Sequence, residues 1–200
     1  MRAFLLLMAM LLFVPPSRAQ DLAKPNTLTP KEIADGWLLL FDGDTSYGWA
    51  LKSAVGKVGF EAKDGSFRLK TVAGQSMSAE NTTPWSEFEL SCDFRCASAG
   101  DARLVLAGLP KPFALTFFAT QPADEWIHLR AVLRQNQNGE CKLTSTYRLA
   151  SGKEESFVKT GKSDPVPCVF KLEVNGDTSL EIRDFKLKPL GAKALFNGRT

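Results

Sequence analysis

Seven side chains in two short stretches of this sequence could do chemistry together. In Glu87–Cys96 (EFELSCDFRC) polar and apolar residues alternate without a break. On a strand, Glu87, Glu89, Ser91, Asp93 and Arg95 therefore share one face, and Phe88, Leu90, Cys92, Phe94 and Cys96 share the other. Glycosides are hydrolysed by two carboxylates, about 5 Å apart when one is a nucleophile and about 6.5–9.5 Å apart when one activates water. Glu87 and Glu89 would stand roughly 7 Å apart. Glu89 is the candidate acid or base, with Glu87, Asp93 and Arg95 as candidate partners for substrate hydroxyls. A solvated outer strand face carries the same pattern and is the competing reading.

Trp126–Arg134 alternates again, with Ile127, Leu129, Ala131 and Leu133 facing one way and Trp126, His128 and Arg130 the other. A flat aromatic with polar neighbours builds a shallow sugar-binding groove, so Trp126 and Arg130 are candidate substrate contacts. His128 is the only histidine in the chain. It could act as general base for a proton next to a keto group. Against this stand a packing role for Trp126 and a surface role for His128. The single histidine also excludes multi-histidine metal centres. No cofactor is implied, although Asp42, Asp44 and Asp64 could ligate Ca2+. The competing role for these aspartates is turn formation, which Asp-Gly favours without a metal.

The elements that must position these residues are short strands. Phe60–Leu69 reads as a hairpin turning at Asp64-Gly65. Leu104–Ala107, Phe113–Ala119, Lys142–Leu149, Ser156–Thr160, Val169–Val174 and Ser179–Lys188 are further candidates, with turn dipeptides at Asn138-Gly139 and Asn175-Gly176. Helical signal is confined to Pro30–Ala34, behind Thr27 or Thr29 as cap. Many short strands with frequent turn signals define an all-β antiparallel sandwich or barrel that leaves one polar face free to bind.

Composition sets the outer limits. The 200 residues carry a net charge of +3, with mixed signs along the chain, which argues against a nucleic-acid partner. Met1–Ala19 has the layout of a signal peptide: Arg2, an apolar run Phe4–Val14, then Ser17 and Ala19 before Gln20. Eleven apolar residues are too few to span about 30 Å of hydrocarbon, so no membrane span is expected. Removing Arg2 and Arg18 leaves 23 Lys+Arg against 22 Asp+Glu, a net charge of +1. Export allows disulfides among Cys92, Cys96, Cys141 and Cys168. Cys92 and Cys96 would lie roughly 13 Å apart on one strand and cannot pair. Cross-strand pairing with Cys141 and Cys168, or buried thiols, remain. No CxxC pair is present to suggest zinc.

Residues 20–34 read as a linker and 35–190 as one domain. Leu40-Phe41-Asp42-Gly43-Asp44-Thr45 returns 155 positions later as Leu195-Phe196-Asn197-Gly198-Arg199-Thr200. Residues 191–200 are therefore either a stub opening a second copy or a last strand of the first domain.

Gly36-Trp37-Leu38-Leu39-Leu40-Phe41-Asp42-Gly43, with Gly48-Trp49, resembles the opening motif of the 3-keto-disaccharide hydrolase family. Phe60–Gly65, Glu87–Arg95, Glu125-Trp126, Phe170–Gly176 and Leu180–Leu187 are similar to its later strands, in the same order. The resemblance implies a concanavalin A-like jelly-roll β-sandwich of two antiparallel sheets, in an exported bacterial protein with a carbohydrate partner. It implies handling of ordinary or 3-keto glycosides. Two family segments differ: an Asn-Ser-Gly is replaced by Ser98-Ala99-Gly100, and Phe113–Gln121 lacks the expected acidic residues. These departures favour the alternative of a non-catalytic carbohydrate-binding module; a structural sandwich domain of a surface assembly is a third possibility.

Overall fold

The computed structural model describes residues 24–53, 59–98, 101–109, 113–118, 125–136, 138–162 and 167–191. The expected leader Met1–Ala19 and all but the first residue of the expected stub 191–200 lie outside them. The described chain forms one five-residue helix, α1 (Pro30–Ala34), and strands that pair antiparallel in two sheets.

The large sheet runs, edge to edge, through β11 (Glu154–Lys162), β10 (Glu140–Arg148), β9 (Ile127–Gln135), β6 (Phe88–Ser98), β13 (Thr178–Pro189), β4 (Ser66–Thr71) and β3 (Gly59–Lys63). The short β1 (Leu38–Leu39) also pairs with β13. The small sheet has the order β2 (Trp49–Ser53), β5 (Ser76–Asn81), β12 (Val169–Asn175), β7 (Asp101–Ala107) and β8 (Phe113–Phe117). Neighbours such as β6 beside β13 are far apart in sequence, the non-local crossover pattern of a jelly roll.

The alternation read from the sequence decides which face is buried. Phe88, Leu90, Cys92, Phe94 and Cys96 of β6 are fully buried, as are Leu129 and Ala131 of β9 and Leu180 and Ile182 of β13. Opposite them lie Leu104, Leu106, Phe170, Leu172 and Val174 of the small sheet, also buried. Ring pairs lock the two layers: Phe88 meets Phe170 edge to face at 4.9 Å, and Phe94 meets Phe117 in a tilted pair at 4.8 Å. No disulfide joins the four cysteines, all of which are buried, so they serve as small apolar side chains of the core. Of the two expectations for them, the structure has the buried thiols.

The segment from residue 24, expected as linker, is fastened to the sandwich. Asn26 and Asp184 exchange hydrogen bonds, from Asn26 N–H to Asp184 Oδ1 (2.8 Å) and from Asp184 N–H to Asn26 Oδ1 (2.9 Å). Asn26 Nδ2 also donates to the Gly65 carbonyl at 2.7 Å. Thr29 caps α1 in a capping box with Glu32, and Glu32 accepts from Lys186 at 2.9 Å. Asp184 has φ of +49° and sits where the pairing of β13 with β6 slips by a residue between Arg183 and Lys186. This bulge keeps Ile182 and Phe185 both in the core.

Candidate functional site

The outer face of the large sheet is assembled in cross-strand rows. One row reads Arg183 (β13), Asp93 (β6), His128 (β9), Arg148 (β10) and Glu154 (β11). The next, toward β3, places Glu61, Arg68, Glu181 and Arg95 side by side, with Trp126 just before β9. On the other side lie Lys186, Ser91, Arg130, Thr146 and Ser156. Rows on one face are two residues apart, roughly 7 Å.

Of the sequence candidates, the structure brings Asp93, Arg95, Trp126 and His128 together. His128 Nδ1 lies 2.8 Å from Asp93 Oδ1. A carboxylate only accepts, so Nδ1 carries the hydrogen, and in the neutral ring the lone pair is then on Nε2. The guanidinium of Arg183 lies 4.0 Å from the centre of the Trp126 ring, and that of Arg95 lies 4.8 Å away. Arg183 Nε is buried, 3.5 Å from Asp93 Oδ2, an ion-pair separation without hydrogen-bond geometry. Glu181 holds both Arg95 (3.0 Å) and Arg68 (3.1 Å). Asp93 thus links His128 to Arg183, and the arginines fix the indole.

Glu89 and Arg130 sit further along, paired at 2.7 Å. Glu87 directly precedes β6. Its Oε1 accepts the Gln135 N–H at 2.6 Å, which ties the end of β9 to β6, and Arg134 is 3.9 Å from Oε2. The carboxylate nearest the histidine is therefore Asp93 rather than Glu87 or Glu89. Arg183 and Glu181 were missed by sequence reasoning. Their signal was present in the alternation Leu180-Glu181-Ile182-Arg183, which puts both on the outer face.

The candidate Ca2+ aspartates are engaged in turns. Asp42 Oδ1 accepts from the N–H groups of Asp44 (2.9 Å) and Thr45 (2.8 Å), and Oδ2 accepts from Thr45 Oγ1 (2.6 Å). Partial burial raises the Asp42 carboxyl, but these bonds outweigh it and hold it below the usual range. Asp64 occupies the left-handed turn before Gly65 and lies 3.5 Å from Arg68. Among the described residues, no three His, Cys, Asp or Glu side chains converge as a metal ligand set.

An apolar cavity lies elsewhere, at the end of the sandwich where β8 approaches β10 and β11. It measures about 250 Å³ and is walled by Leu115, Phe118, Tyr147 and Phe157, with Glu155 and Lys159 at its rim. The charged and aromatic groups that could do acid–base chemistry are on the outer sheet face instead. Among the described residues, no helix is long and apolar enough to cross a membrane.

No family model matches the chain. No curated protein matches it either. Solved structures do. A candidate glycosyl hydrolase from Parabacteroides distasonis aligns with a TM-score of 0.57 at 16% identity, over 84% of this chain and 100% of that one. The VIP36 exoplasmic/lumenal domain in its Ca2+/Man3GlcNAc-bound form aligns at 0.52 and 12% identity, over 82% and 92% of the two chains. Its Ca2+-bound form gives 0.51 and 13%, over 81% and 93%. At such identities the likeness is one of fold: the chain is a concanavalin A-like jelly-roll β-sandwich, as expected.

Proposed function

We propose that this chain is an exported glycoside-handling domain that takes a sugar on the outer face of its large sheet. The observation that carries the reading is the His128–Asp93 hydrogen bond beside Trp126 and its two arginines. Jelly-roll neighbours that handle carbohydrate, VIP36 with its bound Man3GlcNAc among them, support the same class of ligand. Sugars offer hydroxyls to charged side chains and an apolar ring face to an aromatic. The Arg95, Arg183, Glu181 and Arg130 groups suit the former, and the half-buried Trp126 suits the latter.

On a 3-keto-glycoside the chemistry follows from the histidine. The ketone at C3 acidifies the hydrogen on C2. His128 Nε2 takes that proton, and Asp93 stabilises the resulting imidazolium through Nδ1. The C2–H electron pair forms the C1–C2 double bond as the C1–oxygen bond breaks. The departing oxygen takes up a proton from water, the hydroxide so formed takes the proton back from the imidazolium, and the products are an unsaturated keto sugar and a free alcohol. A second reading, a binding module without catalysis, is favoured by Glu87 and Glu89, whose oxygens are engaged by Gln135 N–H and Arg130.

The test is to incubate the protein with a 3-keto-glucoside and with its unoxidised parent, following release of the alcohol and binding by calorimetry. Turnover lost in His128→Ala with binding retained supports the enzyme. Binding without turnover, weakened by Trp126→Ala, supports the module. Neither binding nor turnover rejects both. Export is tested by sequencing the secreted protein, which should begin at Gln20.

A further inference from the structure

We propose that a second copy of this chain adds to the large sheet along the open edge of β11, by antiparallel pairing about a two-fold axis through Val158. Among the described residues, β10 is the only strand that pairs with β11. A nine-residue edge strand is a ready template for another strand. This one has apolar residues exposed on both faces, Phe157 at 50% and Val158 at 57%.

Backbone parity selects the register. Leu149 N–H donates to the Lys153 carbonyl at 2.9 Å, so Lys153 turns its backbone groups toward β10. Direction alternates along a strand, so Glu155, Phe157, Lys159 and Gly161 also face β10. Glu154, Ser156, Val158, Thr160 and Lys162 turn their N–H and C=O groups to the open edge. A two-fold through any of the three central members is compatible with hydrogen bonding. Only the one through Val158 opposes Glu154 to Lys162 of the other copy, twice. It also sets Ser156 against Thr160 and lays the Lys159 stem beside Phe157. Charge on an edge strand ordinarily prevents pairing. Here the acidic residues stand at the start and the basic ones at the end, so a two-fold turns that barrier into complementarity. The partner that fits is the same strand reversed.

Val158 of each copy would form a hydrogen-bonded pair with Cα atoms about 5.5 Å apart, inside the range of about 4.4–6.8 Å that a disulfide spans. Ser156 and its twin would lie roughly 14 Å apart, too far to bridge. The experiment measures the mass of the protein by light scattering across concentration, then oxidises Val158→Cys and Ser156→Cys variants under mild conditions. The expected result is a two-chain species, with covalent dimer formed by Val158→Cys and not by Ser156→Cys. Glu154→Lys and Lys162→Glu should each weaken association roughly tenfold, and the double variant should restore it. Thermal melts of each variant separate misfolding from lost association. One-chain mass at every concentration overturns the proposal. So does a dimer in which Val158→Cys links no faster than Ser156→Cys, or one that single charge reversal leaves unchanged.

Discussion

Replacing Asn26 by Ala should destabilise the protein by about 3–5 kcal/mol, out of proportion to its place near the start of the described chain. Its side chain is buried, walled by Gly43 and Gly65. A Cβ added at Gly43 would come within 2.9 Å of Asn26 Nδ2, and one at Gly65 within 3.3 Å. Truncation removes the bonds to the Gly65 carbonyl and from the Asp184 N–H. Two lost bonds account for about 2–3 kcal/mol. Asn26 also has φ of +56°, a left-handed conformation that costs alanine about 1–2 kcal/mol. Asn26→Gly keeps that backbone open and should lose only the bonding part. Urea unfolding with an unchanged slope measures both variants, and the alanine Tm should fall by roughly 10 °C. The effect should reach the site, because the Asp184 bulge positions Arg183 over Trp126 and beside Asp93. Indole fluorescence should therefore change in the folded variant. Stability of Asn26→Ala within about 0.5 kcal/mol of wild type would refute the reasoning.

Alkaline pH should destabilise the core. Burial pushes the Cys168 thiol up to about 11 from 9.0, with its own backbone N–H pulling it down slightly and Cys141 adding to the rise. Burial likewise pushes the Tyr147 phenol up to about 12 from 10.0. Both folded values are raised, so this stability is complete below pH 9 and is lost as pH rises toward 12, by roughly 1.4 kcal/mol per unit and group. Urea midpoints at pH 8 and 11 measure it, and Cys168→Ala should flatten the lower half of the slope. At the acid end, Glu32 is raised by burial but lowered further by the Thr29 N–H and Lys186, a net depression below 4.5. Its contribution is complete above that value and fades as pH falls through the lower folded one. Thr29→Ala should remove about 1 kcal/mol through the cap, read by the same unfolding curves. Phe94→Ala, which empties a site shared with Phe117, Phe118 and Tyr147, should lose about 3–5 kcal/mol by calorimetric melting.

The strands with unbroken alternation were legible because one face of each is buried and the other is not. Glu87–Cys96 was read within two residues of β6, Trp126–Arg134 within one of β9, and the Asp64-Gly65 turn was placed correctly. Pro30–Ala34 and its Thr29 cap were readable because capping depends on residue types a few positions apart. Strand β5, Ser76–Asn81 (SMSAEN), was missed because its inward side chains are Met77, Ala79 and Asn81, too small or polar to mark a face. β2 hid behind the turn signals before it. In the site, each half of the His128–Asp93 row was visible in its own strand. Their pairing depends on the register of β6 against β9, which local sequence does not specify. The outward face of Arg183 was legible in its alternation, but the β13 bulge that follows it rests on Asn26, 158 positions from Asp184. No local pattern carries that contact.

Chemical-shift mapping of the protein titrated with a 3-keto-glucoside, followed at the His128 ring nitrogens and the Trp126 indole N–H, tests the central claim most directly. The account predicts saturable shifts at His128 Nε2 and Trp126, with backbone shifts along β6, β9 and the end of β13 near Arg183. Shifts confined to Tyr147, Phe157 and the cleft beside β8, with His128 and Trp126 unmoved, would contradict it.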